Sequence, residues 1–396
     1  MMNQQNSERN TMYKPDYQGN SIVNLVASIT QSCGGRPIHP PLRDHDTSAW
    51  GESQHLVLLV LDGLGWDVLS DYGADSFLAR HLRRRMTSVF PSTTAAALTT
   101  FLSGLTPLEH AMTGWFVWLK ELGSASAILP FVPRWEWRAF DVGGIDYRDI
   151  YSFPPLLPQI PRDCAVVSPA AYTGSAYTTH TSASARNYAY ATLDDFIDQI
   201  KCAVQEASGP SFTYAYWPKY DSICHQCGKN SDEAEQQLAT LDSAIERLAQ
   251  ELAGSGAHLL ATADHGFCGS TPETRLRVED YPDIVTCLNI PLCGEPRVPY
   301  AYVKPAQAQR FESLVREKLG HCCTLLTRQQ TLDGGWYGVG EPHPDWADRV
   351  GDYILLMHDG WVLTQAVLGE GPLDLIGFHG GPSEHEMHVP LVEITM

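Results

Sequence analysis

Three aspartates and three histidines of this chain lie beside predicted strands. Ligands in open α/β sheets gather at the carboxyl ends of the strands, so these side chains are expected to meet at one edge of a sheet. Their nitrogen and oxygen donors form two mixed sets that suit zinc or manganese, unlike the thiolate sites of structural zinc. The six residues are Asp62, Asp221, His225, Asp264, His265 and His379.

Thr94 adds a hydroxyl group to these six ligands. It lies in the segment 90–104, which is predicted to turn into a helix, and a helix N-terminus is where a phosphate would dock. Taken alone, each signal has a simpler reading. An aspartate after a strand is usually a cap or turn residue, Asp221 and His225 can be a surface pair, and Thr94 can be an N-cap. The combination favours two mixed metal sites beside a helix start at which a phosphate would dock.

The elements that must position these residues alternate between strand and helix. Near-continuous apolar runs at 55–61 and 258–263 are typical of strands buried on both faces, and 211–217 is aromatic and strand-like. The segment 231–253 has leucine and isoleucine at helical spacing. This alternation predicts an α/β fold with a mostly parallel central sheet flanked by helices.

The composition changes along the chain and predicts its organisation. Residues 1–20 are predicted to form a disordered or loose polar tail. The catalytic core is expected to comprise 21–274 and 366–396, with an aromatic insertion at about 111–160. Residues 275–365 are expected to form a small α+β cap.

Charge and cysteine content limit the partners and the compartment. The 396 residues carry 27 basic and 46 acidic side chains, a net charge of −19, which argues against a nucleic acid polymer or an anionic membrane as partner. A small phosphorylated substrate stays compatible, because bound metal ions reverse the local charge. The polar N-terminal segment and ten scattered cysteines predict a cytoplasmic protein with reduced thiols. Residues 74–85 are predicted to be a helix with a solvated arginine face.

Five motifs together resemble the type I phosphodiesterase/nucleotide pyrophosphatase family of the alkaline phosphatase superfamily. Their order and spacing match over about residues 55–396. The motifs are Asp62-Gly63, Phe90-Pro91-Ser92-Thr93-Thr94, Asp221-x-x-x-His225, Asp264-His265-Gly266 and His379-Gly380-Gly381.

The resemblance implies an alkaline-phosphatase-like core and two divalent metal ions, most often zinc, with manganese as the alternative. One site would use Asp221, His225 and His379. The other would use Asp62, Asp264 and His265 together with Thr94, the implied nucleophile. Thr94 is chosen over Thr93 because the family pattern, Pro-Ser/Thr-x-Thr, places the reactive residue three positions after the proline.

The activity implied by this resemblance is hydrolysis of a phosphodiester or pyrophosphate bond through a phospho-threonine intermediate. The expected substrate is a small phosphorylated molecule, with nucleotides among the candidates, and no membrane partner is expected. A phosphomonoesterase or phosphonate hydrolase on the same site is the alternative, followed by an inactive relative that only binds.

Two further features have both a structural and a functional interpretation. The segment 384–388 contains glutamate and histidine, and a supporting or surface role is favoured over metal binding. Four tryptophans can stack on a nucleobase or simply pack the aromatic segment. They are Trp115, Trp118, Trp135 and Trp137.

Overall fold

The computed structural model describes residues 11–72, 74–136, 138–371 and 373–396. Within these ranges the strands, numbered in chain order, form two seven-stranded sheets and two short ladders. The core sheet contains, in spatial order, β2 (Leu82–Thr87), β18 (His388–Thr395), β9 (Ala257–Thr262), β1 (His55–Leu61), β8 (Ser211–Trp217), β6 (Asp163–Pro169) and β7 (Arg186–Tyr190).

The core sheet is mostly parallel, as the sequence predicts. β1 lies at its centre and pairs in parallel with β8 and β9, with Leu61 opposite Trp217 and Val60 opposite Thr262. β18 alone runs antiparallel, between β2 and β9. The carboxyl ends of β1, β8 and β9 therefore lie side by side at one edge. This is the edge at which the predicted ligands were expected to meet.

Helices pack against this sheet through apolar faces. The longest helix of the described chain buries Leu238, Leu241, Ile245 and Leu248, the residues whose spacing predicted it. The helices are α1 (Ile22–Ser32), α2 (Ser48–Glu52), α3 (Phe77–Arg80), α4 (Thr94–Ser103), α5 (Pro107–His110), α6 (Ala176–Ser182), α7 (Leu193–Gln205), α8 (Lys219–Cys227), α9 (Asp232–Glu251), α10 (Pro282–Val285), α11 (Ala308–Leu319), α12 (Arg328–Asp333), α13 (Trp346–Arg349) and α14 (Glu384–Met387).

A second sheet, antiparallel throughout, forms the cap above the core. It joins two regions that the sequence analysis separated, because Phe116 of the aromatic segment pairs with Gly294 of the predicted cap. The cap sheet contains, in order, β14 (Cys323–Thr327), β15 (Tyr353–Met357), β13 (Val298–Ala301), β12 (Cys293–Glu295), β3 (Phe116–Leu119), β4 (Ser124–Ala127) and β5 (Val132–Pro133). The short ladders pair β10 (Cys268–Gly269) with β17 (Gly377–Phe378) and β11 (Arg275–Arg277) with β16 (Val362–Thr364).

Two local predictions are wrong. The predicted helix over 74–85 is the short helix α3 followed by edge strand β2, in which Arg83 and Arg85 project to solvent while Met86 is buried. The predicted loose tail is ordered over residues 11–20. Tyr17 is buried there, and its hydroxyl donates to the Trp336 carbonyl at 3.0 Å. The rest of that tail, 1–10, lies outside the described residues.

None of the helices in the described chain combines the length and the apolar character that crossing a bilayer requires.

Candidate active site

Three of the predicted ligands form a buried cluster at the ends of β1 and β9, which we call the inner set. It consists of Asp62, Asp264 and His265. The His265 Nε2 atom lies 3.3 Å from Asp62 Oδ1 and 3.4 Å from Asp264 Oδ2. All three side chains are at most 2% exposed. Neighbouring strand ends thus bring together residues about 200 positions apart in the sequence.

Hydrogen bonds orient the side chains of the inner set. The amide groups of Gly63 and His265 each donate to Asp264 Oδ1 at 3.0 Å. The Tyr216 hydroxyl donates to Asp62 Oδ2. The His265 Nδ1 atom lies 3.1 Å from the Gly266 carbonyl, so Nδ1 donates and Nε2 keeps its lone pair. One oxygen of each aspartate and one imidazole nitrogen therefore face a common point.

The other three ligands form the outer set, which consists of Asp221, His225 and His379. Asp221 and His225 lie one turn apart on α8, and His379 follows β17. His379 Nε2 lies 3.2 Å from His225 Nε2 and 3.7 Å from Asp221 Oδ1. His225 Nδ1 lies 2.9 Å from the Gly377 carbonyl, which leaves Nε2 for the site. The rings of His379 and His265 stack at a centroid separation of 3.6 Å, so the two sets adjoin.

The donor chemistry of both sets fits divalent cations. Asp62 Oδ1, Asp264 Oδ2 and Asp221 Oδ1 are buried without a hydrogen-bond partner among the described residues, which is costly unless a cation neutralises them. Burial, together with the neighbouring carboxylates, raises the pKa of Asp62 and of Asp221 well above the ordinary value. Burial lowers the pKa of His225 to about 4, which keeps this imidazole neutral as a metal ligand must be.

Thr94 is the first residue of α4 and faces the inner set. Its Oγ1 lies 3.2 Å from His265 Nε2. The neighbouring Thr93 is turned away, because its hydroxyl donates to Glu295 Oε1 at 2.7 Å. Of the two threonines, Thr94 is therefore the one whose hydroxyl lies beside the inner set.

A cleft of about 940 Å³ opens above these residues, between the core edge and the cap. Thr94 and the outer set line it, together with Glu295 and Arg275, which belong to the predicted cap segment. Glu295 also accepts from the Trp115 amide at 2.6 Å, and burial raises its pKa to about 7. Sequence reasoning missed Glu295 and Arg275, since neither stands in a motif and both reach the cleft only through folding of the cap.

The segment 384–388 plays a supporting role and adds no ligand to either set in the described structure. Glu386 forms a fully buried ion pair with Arg297, 2.7 Å apart, and accepts from the Gly381 amide at 2.8 Å. This pair ties the cap to the loop that carries His379. Of the four tryptophans considered, Trp115 lines the cleft, whereas Trp137 lies outside the described residues.

Comparison with known protein families shows to which of them the chain belongs. A model of the type I phosphodiesterase/nucleotide pyrophosphatase family matches residues 56–382. The chain belongs to this family. It is accordingly a member of a group of metal-dependent hydrolases that act on phosphoester and phosphoanhydride bonds.

Solved structures show the same fold at low sequence identity. Murine ectonucleotide pyrophosphatase/phosphodiesterase 5 is 16% identical with a TM-score of 0.63, and the alignment covers 86% of this chain and 88% of that one. Phosphonoacetate hydrolase from Sinorhizobium meliloti 1021, in complex with phosphonoformate, is 15% identical with a TM-score of 0.63, covering 87% and 91%. A search of curated protein sequences gives no significant match.

Proposed function

We propose that this protein hydrolyses phosphodiester or pyrophosphate bonds of small phosphorylated substrates, nucleotides among them, with Thr94 as nucleophile. The observation that carries the proposal is the position of the Thr94 hydroxyl, 3.2 Å from an inner-set nitrogen and open to the cleft. Murine ectonucleotide pyrophosphatase/phosphodiesterase 5 offers a parallel, since its inactive threonine-to-alanine variant has been solved in complex with AMP.

In the proposed reaction the Thr94 oxygen attacks phosphorus and expels the leaving alcohol or phosphate. This forms a phospho-threonine ester whose phosphorus keeps its second substituent, and water then hydrolyses the bond to Thr94, which releases the phosphate monoester and regenerates the hydroxyl group. The first amide groups of α4 have no acceptor within the helix, so they can donate to a non-bridging phosphoryl oxygen. The inner and outer sets would hold two divalent cations, zinc first and manganese second, which lower the pKa of bound hydroxyl groups and neutralise developing charge.

A substrate panel with added zinc or manganese tests this proposal. It compares bis(p-nitrophenyl) phosphate, p-nitrophenyl phosphate and a nucleotide sugar. We expect the diester to exceed the monoester in kcat/KM, and acid quenching during turnover of the diester to trap a p-nitrophenyl phosphoryl group on the peptide that contains Thr94. A monoester preference above tenfold, or a phosphoryl group trapped on another residue, contradicts the proposal.

A second candidate function is phosphonate hydrolysis. The structural likeness to phosphonoacetate hydrolase, which the comparison structure shows with phosphonoformate, favours including it. Phosphate release from phosphonoacetate distinguishes the two activities. Release faster than hydrolysis of every diester in the panel would assign the site to phosphonates.

We also propose the cytoplasm as the compartment. Ten unpaired cysteines, seven of them buried, fit a reducing environment. Fractionation of the source cells tests this, and recovery of the protein outside the cytoplasmic fraction would contradict it.

A further inference from the structure

Three arginines line the cleft, and one of them is fully neutralised by the protein itself. The Arg134 guanidinium donates to both carboxylate oxygens of Glu370, at 2.9 and 3.0 Å. It also lies over the Phe116 ring, 4.2 Å from its centroid, and its side chain is only 8% exposed. A bidentate ion pair of this kind holds the cap together and leaves little capacity for a ligand.

Arg275 differs, because its partners are neutral. Its Nε donates to the Ser270 hydroxyl at 2.9 Å and its Nη2 to the Ser270 carbonyl at 3.3 Å. No carboxylate of the described residues lies within salt-bridge distance of it. The half-buried guanidinium has five donors, and these two bonds leave several of them for a ligand in the cleft.

Arg277 lies on the same side of β11, since residues two apart in a strand face the same way. Its ion pair with Glu279 is long, at 3.9 Å, and its side chain is 59% exposed. The opposite residues on β16, Val362 and Thr364, line the cleft as well. The β11–β16 ladder therefore presents two arginines without a close carboxylate partner to the space that the substrate enters.

The remaining surroundings of these arginines favour an anionic ligand. Phe116, Leu292 and Val362 make much of the cleft wall apolar, and an uncompensated cation beside apolar surface gains most from a charged partner. The scissile phosphoryl group has its own partners in Thr94, the helix start and the two ligand sets. A second anionic group is what would match the arginines.

We propose that Arg275, with Arg277 beside it, binds a second anionic group of the substrate, a carboxylate or a phosphate separate from the phosphoryl group under attack. This inference rests on the proposed function and narrows its substrate class. The preferred substrates are phosphodiesters or anhydrides in which one of the two linked groups carries its own negative charge. Simple neutral esters bind more weakly.

Ligand binding to metal-loaded Thr94→Ala protein tests this without turnover. The probes are phenyl phosphate and 4-carboxyphenyl phosphate, which differ by one carboxylate, with dissociation constants from titration calorimetry. We expect the carboxylated probe to bind about tenfold more tightly, and Arg275→Gln in this background to reduce that ratio to near one. Binding of phenyl phosphate should change less than twofold.

Matched variants separate this role from a general loss of charge or stability. Arg310→Gln removes a half-exposed arginine of α11 elsewhere on the cap and should leave the ratio unchanged. Arg275→Lys keeps the charge and should retain part of the preference. Should Arg275→Gln fail to fold, Arg277→Gln and Arg275→Lys carry the same measurement, and an unchanged ratio in both overturns the proposal.

Two other outcomes overturn the proposal as well. One is that the Thr94→Ala parent binds phenyl phosphate and 4-carboxyphenyl phosphate with nearly equal dissociation constants. The other is that Arg275→Gln weakens the binding of both probes equally, which would place the arginine on the scissile phosphoryl group. The proposed function fails separately. If the wild-type protein hydrolyses no ester of the panel while the binding preference persists, the binding role of Arg275 stands and the catalytic assignment falls.

Discussion

The two ligand sets of the cleft differ in how completely the protein surrounds them. The inner set is at most 2% exposed and is held by backbone amides and a tyrosine hydroxyl. In the outer set, Asp221 and His225 are 15% and 24% exposed. The fold therefore encloses the inner set at the strand ends and leaves the outer set partly open to solvent.

The largest effect is expected from the hydroxyl that faces the inner set. Thr94→Ala removes the proposed nucleophile and should lower kcat at least a thousandfold, about 4 kcal/mol, while both metal ions are retained. Steady-state kinetics and elemental analysis measure the two quantities. Thr93→Ala, which loses only the contact with Glu295, is the control and should stay within roughly thirtyfold of wild type. An inactive Thr93→Ala beside an active Thr94→Ala would contradict the assignment of the nucleophile.

A smaller effect is expected from the tyrosine behind the inner set. Tyr216→Phe deletes the donor to Asp62 and should weaken metal affinity at the inner site by about 10–100-fold, the usual cost of losing such a support. Tyr214→Phe is a matched control, because the Tyr214 hydroxyl is buried without a hydrogen-bond partner in the described structure. Competition titrations with a chromophoric chelator compare the two variants. Equal losses in both would show that the hydroxyl of Tyr216 does not support the site.

During metal removal, the ions of the two sets should dissociate at different rates. The outer ion is expected to leave at least about tenfold faster than the inner one, since solvent and chelator reach Asp221 and His225 directly. Time-resolved chelation of the holoenzyme should then show two phases, with activity lost in the first. Asp221→Asn should abolish the fast phase and Asp264→Asn the slow one. A single phase would indicate that the sets do not differ in access.

The smallest effect concerns the stability of metal-free protein. Burial raises the pKa of Asp62, so its ionised form destabilises the fold when no cation is bound. At pH 8, metal-free Asp62→Asn should melt roughly 2–4 °C above metal-free wild type, the shift for about 1 kcal/mol. Since this pKa is raised, the advantage should shrink as the pH falls through the folded-state pKa towards the unfolded value of about 3.8.

Differential scanning calorimetry measures this shift, and added metal should reverse the order of the two proteins. If metal-free Asp62→Asn is less stable than metal-free wild type, the ionised Asp62 carboxylate does not destabilise the fold, which contradicts the prediction.

The clustering of the six candidate ligands was predictable because their signals are local. Asp62 and Asp264 each follow a short apolar run that is typical of a buried strand, and parallel strands end at a common edge. The α/β fold with a mostly parallel sheet was predictable for the same reason. The choice of Thr94 over Thr93 needed the family pattern, because both are hydroxyl residues at a helix start.

The cap was only partly predictable because its contacts are distant in sequence. Phe116 and Gly294 pair across almost 180 residues, and no local pattern marks either as the other's neighbour. Glu295 and Arg275 consequently went unnoticed. The edge strand β2 was mistaken for a helix because three consecutive arginines show no period, and its extended form depends on pairing with β18.

The antiparallel strand β18 has a consequence for the order in which the protein matures. It inserts between β2 and β9, and His379 and Glu386 come just before it in the chain. During synthesis, β9 and β2 are made long before the strand that must separate them. Residues 379–395 therefore complete both the core sheet and the outer set, and neither can assemble before this segment has been synthesised.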